Sequence, residues 1–193
     1  MNKQRVDRGI RDIQVFLRQF LEKNISYGDM AVDATAGLGR DTLFLAQCVG
    51  DKGKVFAFDI QEQAIKATQE LLQEQGLAHR VQLLAVSHSE IAKYVPPGIQ
   101  AAVFNLGYLP GFGKKIVTRP ETTLQALTQV LKLLKKNGLV AITVYRGHEG
   151  GLEESETLIS YLSKLPKQDF SVLQGIYLNQ GEESPYWIII QKN

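Results

Sequence analysis

Val32-Asp33-Ala34-Thr35-Ala36-Gly37-Leu38-Gly39-Arg40-Asp41 decides the fold of this 193-residue chain. It reads as the end of a buried strand, a tight glycine turn and the start of a helix. The apolar Met30-Ala31-Val32 leads in, and Thr42-Leu43-Phe44-Leu45-Ala46 supplies a helix's inner face. Gly37 and Gly39 carry no Cβ, so backbone can come close to a ligand there. The first N–H groups of the helix point at whatever lies over the turn. Val55-Phe56-Ala57-Phe58-Asp59 is a second buried strand, ending in a carboxylate 20 residues after Gly39. That spacing suits an acidic residue that accepts hydrogen bonds from a ribose. Together the two stretches predict a nucleoside-cofactor site at the carboxyl ends of adjacent parallel strands.

The glycine pattern separates two cofactor classes. A dinucleotide fingerprint, G-x-G-x-x-G, uses its third glycine for close helix–strand packing. Thr42 stands at that position, and Asp33 ends the first strand. The resulting D-x-x-x-G-x-G resembles motif I of class I S-adenosylmethionine methyltransferases, with Thr35 where many of those have glycine. Taken alone, the glycines also fit an ordinary strand–helix turn; the spacing of Asp59 weighs against that.

Composition narrows the class. A hydrophobic content of 44% and a charged content of 22% suit a globular protein, and the length suits one well-packed domain over residues 1–193. A net charge of +2 does not by itself demand a nucleic-acid partner. A single cysteine, Cys48, excludes an internal disulfide and a multi-cysteine zinc site, and it reads as a buried inert thiol. The N-terminus mixes charged and apolar residues without a long apolar run, which predicts no signal peptide, no membrane span and a cytoplasmic location. Val6, Ile10, Ile13, Phe16, Leu17, Phe20 and Leu21 keep helical spacing between about Arg5 and Lys23. Lys3, Arg5, Arg8, Arg11 and Arg18 then form a solvated face, which we weigh above an RNA contact.

The rest of the chain alternates strands and helices. A helix is predicted over 60–75, stopped by Gly76, and strands over 81–86 and 99–105. Pro120 opens a helix over 121–136 with Thr118 as a candidate cap, and Asn137-Gly138 stops it. A strand over 139–145 and a helix over 152–165 follow. Strands over 170–178 and 186–191 close the chain, joined by a turn-rich segment that suits an antiparallel pair. This is an α/β, Rossmann-like doubly wound, mostly parallel seven-stranded sheet with a C-terminal antiparallel hairpin.

Three constellations carry the chemistry. Ser87-His88-Ser89 follows the third strand, beside the expected adenine, although plain loop polarity explains it equally well. Phe104-Asn105-Leu106-Gly107-Tyr108-Leu109-Pro110-Gly111 follows the fourth strand. There Asn105 offers a carbonyl acceptor beside the transferable methyl group, and Tyr108 offers a flat face for an unstacked base. A turn with a buried tyrosine is the plainer alternative. Lys114, Lys115 and Arg119 are basic groups at the rim, suited to phosphates or to a solvated loop.

The segments Asp33-Ala34-Thr35 through Ala46, Phe58-Asp59-Ile60-Gln61, Asn105-Leu106-Gly107-Tyr108-Leu109-Pro110-Gly111 and Thr118-Arg119-Pro120-Glu121-Thr122-Thr123 resemble one family. It is a family of small bacterial rRNA-methylase-like proteins whose characterised members are tRNA methyltransferases of the MnmM type. The resemblance implies methylation of the amine of 5-aminomethyl-2-thiouridine at the tRNA wobble position. It implies S-adenosyl-L-methionine as cofactor, held by Asp33, Thr35, Gly37, Leu38, Gly39, Asp41, Thr42, Asp59, Ile60, Gln61, Ser87, His88 and Asn105. Asn105 and Tyr108 are then the catalytic pair, with Tyr108, Lys114, Lys115 and Arg119 on the RNA side. The chain departs from the family at Leu38 and Arg40, within Gly37-Leu38-Gly39-Arg40-Asp41, at Val86, where an acidic residue is common, and at Arg146-Gly147-His148, where Pro-Gly-His is common.

The expected partner is tRNA, with rRNA as the second RNA class; no metal is needed, and a homodimer is left open. A sulfonium methyl is already electrophilic, so the protein mainly aligns the acceptor at a near-attack distance of ~3–3.5 Å. Competing readings are a small-molecule or protein methyltransferase, a nicotinamide-dependent oxidoreductase and a noncatalytic nucleoside-binding module.

Overall fold

The computed structural model describes residues 12–109, 111 and 116–193. Seven strands form one sheet in the order β3-β2-β1-β4-β5-β7-β6. They are β1 (Met30–Asp33), β2 (Lys54–Phe58), β3 (Val81–Leu84), β4 (Ile99–Leu106), β5 (Leu134–Val144), β6 (Phe170–Gly175) and β7 (Tyr186–Lys192). The first five are parallel, whereas β7 runs antiparallel between β5 and β6. The expected fold class is therefore present. Strand order reverses between β1 and β4, and in open α/β sheets that switch point is where ligands bind.

Alternation along the strands explains the layers. Val32, Phe56, Phe58, Ala102 and Phe104 face one side and pack against helices α5 (Pro120–Leu133) and α6 (Gly151–Leu162). Ala31, Val55, Ala57, Ala101 and Val103 face the other, against α1 (Ile13–Glu22), α2 (Arg40–Val49) and α3 (Glu62–Glu74). Both faces of the parallel strands are covered, which is why these strands read as continuous apolar runs. A short α4 (Ile91–Tyr94) fills the β3–β4 connection, where no helix was expected.

The N-terminal helix is capped by Asp12, whose carboxylate accepts the N–H groups of Gln14 and Val15. Its expected start near Arg5, with Lys3, Arg8 and Arg11, lies outside the described residues, as do Lys114 and Lys115. Phe16 of α1 packs its ring against Trp187 of β7, 5.2 Å between centroids. Burial pushes the thiol of half-buried Cys48 up to about 11, in keeping with an inert side chain.

The strands expected over 81–86 and 170–178 end earlier, at Leu84 and Gly175, and the helix over 152–165 ends at Leu162; the largest change lies between α5 and β5. Leu134-Lys135-Lys136 was expected to continue helix α5, but α5 ends at Leu133 and β5 begins at Leu134. Leu134 pairs with Ile99, and the next pairing is Leu139 with Ala101, so residues 135–138 make a detour. Asn137 turns the chain there with φ 62°, a left-handed conformation that asparagine tolerates.

Candidate functional site

The glycine turn joins β1 to α2 and is braced from below. Asp33 is fully buried. It accepts the hydroxyl of Thr42 at 2.6 Å and the N–H of Thr35 at 3.2 Å. Burial, reinforced by the Asp41 carboxylate, pushes Asp33 up to about 7. Gly39 has φ 76° and caps α2, and a Cβ there would meet Thr68 of α3 at 2.9 Å. Asp33, Gly39 and Thr42 therefore stand behind the turn and do not line the cleft above it. For Gly39 the close approach is to Thr68 of the neighbouring helix α3.

That cleft opens at the carboxyl ends of β1, β2 and β4 and holds about 1960 Å³. A small-molecule site typically has ~300–1,000 Å³, so there is room for a cofactor and part of a larger substrate. Thr35, Gly37, Leu38, Asp41, Asp59, Ile60, Gln61, Ser87, His88, Asn105, Tyr108 and Arg119 all line it.

On the β2–β3 side, Asp59 accepts the N–H groups of Gly37 and Gln61, each at 2.9 Å. Each carboxylate oxygen keeps a lone pair for a further donor. Burial raises the Asp59 pKa from its ordinary value. His88 faces the carbonyl of Ala34 through Nδ1 at 3.1 Å. A carbonyl only accepts, which assigns the proton to Nδ1 and leaves Nε2 an acceptor. That Nε2 is buried and has no partner. Burial also lowers the His88 pKa, so the ring is neutral near pH 7. Ser87 bonds the N–H and hydroxyl of Ser89.

On the β4–β5 side, the backbone N–H and both side-chain polar atoms of Asn105 are engaged. Its N–H donates to Thr35 Oγ1 at 2.8 Å, and its Nδ2 donates to Asp41 Oδ2 at 2.7 Å. Asp41 is held in turn by Arg18 of α1, with Nη2 at 2.6 Å and Nε at 2.8 Å from Oδ1. The Asn105 carbonyl, expected to be an open acceptor, receives Gln14 Nε2 at 2.6 Å. The same nitrogen donates to Thr143 Oγ1 at 2.9 Å and to the Tyr145 hydroxyl at 3.3 Å. Helix α1 is thus part of the site.

The loop after β4 is pinned at its base. Thr118 N–H donates to the Gly107 carbonyl, and Gly107 N–H donates to Thr118 Oγ1, both at 2.9 Å. Tyr108 forms an isolated bridge with Val117. Thr118 and Thr123 donate their hydroxyls to the buried Glu154 of α6 at 2.7 and 2.6 Å. Thr118 is therefore a brace and not the helix cap; Arg119 occupies the cap position without a side-chain bond. Burial raises the Glu154 pKa. Tyr108 meets the ring of His148 edge-on at 6.2 Å, and both ring nitrogens of His148 are buried without a hydrogen-bond partner. Arg146 lines the cleft, donates to the Ser184 carbonyl at 3.0 Å and lies over the Tyr186 ring.

Sequence reasoning missed Gln14, Thr143, Tyr145, Glu154 and a role for Arg18. Glu154 alone left a local signal: with Ser155, Leu158 and Leu162 it keeps helical spacing on the inner face of α6.

Comparison with known proteins identifies the family. Residues 55–191 match the family described as "Putative rRNA methylase". A chloroplastic tRNA (mnm5s2U34)-methyltransferase of Arabidopsis thaliana is 40% identical over 170 residues, 82% of this chain. The chain spans only 62% of that protein's length. A "putative rRNA-methylase" from Clostridium thermocellum superposes with a TM-score of 0.93 at 37% identity, covering 96% of this chain and 100% of that one. A "putative methyltransferase" from Streptococcus mutans, in complex with SAH, gives 0.86 at 37% identity, covering 94% and 98%.

Proposed function

We propose, for a chain that belongs to the rRNA-methylase family, that it methylates RNA with S-adenosylmethionine as methyl donor. More specifically, it N-methylates the aminomethyl group of 5-aminomethyl-2-thiouridine at the tRNA wobble position. One observation carries this reading: a single cleft is lined by Gly37, Asp59 and His88, to which we assign the nucleoside, and by Asn105, Tyr108 and Arg119, to which we assign the methyl acceptor.

The residues present fit the cofactor. The unpartnered Nε2 of His88 and the spare lone pairs of Asp59 are acceptors awaiting donors, and adenosine offers an exocyclic amine and ribose hydroxyls. Bound S-adenosylmethionine supplies an electrophilic methyl group on a cationic sulfur. Asp59 and His88 hold the nucleoside. Asp41 fixes the amide of Asn105 with Nδ2 toward the carboxylate, because a carboxylate only accepts. The Asn105 carbonyl, which receives Gln14 in this structure, orients an amine once Gln14 gives way. The amine's nitrogen forms the new N–C bond as the S–C bond breaks, and the sulfur keeps the electron pair. Before this the primary ammonium gives one proton to water in the open cleft, which frees the nitrogen's lone pair, and the product is a secondary ammonium. Tyr108 stacks the base and Arg119 meets a phosphate.

The nicotinamide reading gains nothing here: Thr42, in the third glycine's place, is tied to Asp33, and the matched relatives carry methyltransferase names. The test is transfer of labelled methyl groups to tRNA that carries the free aminomethyl group, followed by nucleoside mass spectrometry. A mass gain of one methyl on that nucleoside is expected. Labelled rRNA with unlabelled tRNA would instead favour the rRNA reading.

A further inference from the structure

Gln14 Nε2 sits among three oxygens. Asn105 Oδ1 lies at 2.6 Å, Thr143 Oγ1 at 2.9 Å and the Tyr145 hydroxyl at 3.3 Å. Asn105 and Thr143 are directly paired neighbours on β4 and β5. Tyr145 follows Thr143 by two residues, so its side chain emerges on the same face. Burial raises the Tyr145 pKa, so the group is a phenol at neutral pH. A carboxamide nitrogen has two hydrogens for these three oxygens, whereas a primary alkylammonium has three.

We propose that Asn105, Thr143 and Tyr145 form the subsite that recognises a primary amine, and that Gln14 is its internal occupant until substrate arrives. This rests on the proposed aminomethyl acceptor. Gln14 is the second residue of α1 and lines the open cleft, so a side-chain rotation suffices to vacate the cage. The cage also separates substrate from product. A methylated, secondary ammonium keeps only two N–H donors and fills the three oxygens less well.

The experiment uses two anticodon stem-loop oligonucleotides, one with 5-aminomethyl-2-thiouridine and one with 2-thiouridine. Calorimetry gives the ratio of their affinities for the full-length chain, and methyl transfer is measured separately. The parent is expected to prefer the amine loop. Tyr145→Phe and Thr143→Val should each lower that preference roughly 3- to 10-fold, the scale of one hydrogen bond, with S-adenosylmethionine binding unchanged. Gln14→Ala should raise amine-loop affinity by a similar factor. Equal binding of the two loops by the parent overturns the cage, as does an unchanged preference in both oxygen variants. Weaker amine-loop binding by Gln14→Ala makes Gln14 a substrate ligand and overturns its placeholder role. Amine preference without methyl transfer keeps the cage and refutes the reaction; transfer without preference does the reverse.

Discussion

Gly39→Ala tests whether the glycine turn is shaped by the neighbouring helix. Gly39 has φ 76°, and placing an L-residue in that left-handed region costs ~1–2 kcal/mol. The new Cβ would meet Thr68 Cγ2 and Oγ1 at 2.9 Å and Thr68 Cα at 3.0 Å. Backbone is among those atoms, so rotating the threonine does not relieve everything. Overpacking of this kind adds ~1–3 kcal/mol. The expected destabilisation is therefore ~2–5 kcal/mol, read from urea midpoints at constant m-value. The same substitution in a Thr68→Ala background separates the two contributions. Removing Cγ2 and Oγ1 should recover about 1 kcal/mol or more of the clash, while the backbone strain stays. The cycle also cancels the lost hydrogen bond from Thr68 Oγ1 to the Gly37 carbonyl. A cost below about 1 kcal/mol, or an equal cost in both backgrounds, would refute this packing account.

Asp33→Asn should flatten the pH dependence of stability. The carboxyl sits at about 7 in the folded chain against 3.8 ordinarily, so the folded state holds its proton longer. Stability contributed by that proton is full below pH 3.8 and lost as pH rises to about 7. Unfolding midpoints of parent and variant that run parallel from pH 4 to 7 would contradict it. Asp59→Ala should weaken S-adenosylmethionine binding by ~1.5–3 kcal/mol in calorimetry, and an unchanged affinity in a folded variant removes Asp59 from the cofactor site. Tyr108→Ala should cost ~1–3 kcal/mol in RNA affinity. Arg119→Ala should reduce the salt slope by about one counterion, and both variants should bind cofactor as the parent does. RNA binding unaltered in both moves the substrate off this loop.

Local patterns carried the layout of the sheet. Strand alternation, the turn at Gly37 and the spacing to Asp59 are consequences of near neighbours in sequence, and all were legible. The cleft's acceptor half was half legible. Asn105 and Tyr108 stood out by motif, but Gln14 reaches Asn105 across 91 residues and left no local mark. Thr143 and Tyr145 read as ordinary strand residues, because only the pairing of β5 with β4 sets them beside Asn105. Leu134-Lys135-Lys136 fits helical spacing as well as it fits a strand. The pairing of Leu134 with Ile99, a tertiary contact, decided against the local preference. For Gly39 a glycine records only that space is filled, and the contact of Thr68 of α3 with it is one that sequence spacing does not reveal.

The detour over residues 135–138 offers a place to fasten a probe. Leu134 is already paired, so residues 135–138 bulge from the ladder before pairing resumes at Leu139. From Leu139 to Val144 at the cleft end, β5 rises roughly 17 Å. Lys136 is exposed on that detour. Cys48 is the chain's single cysteine, and its thiol is pushed up to about 11. A Lys136→Cys variant would therefore carry one reactive thiolate-forming group near neutral pH. A dye or surface tether there would report on whether RNA arrives at the opposite end of the sheet without touching the groups proposed to receive it.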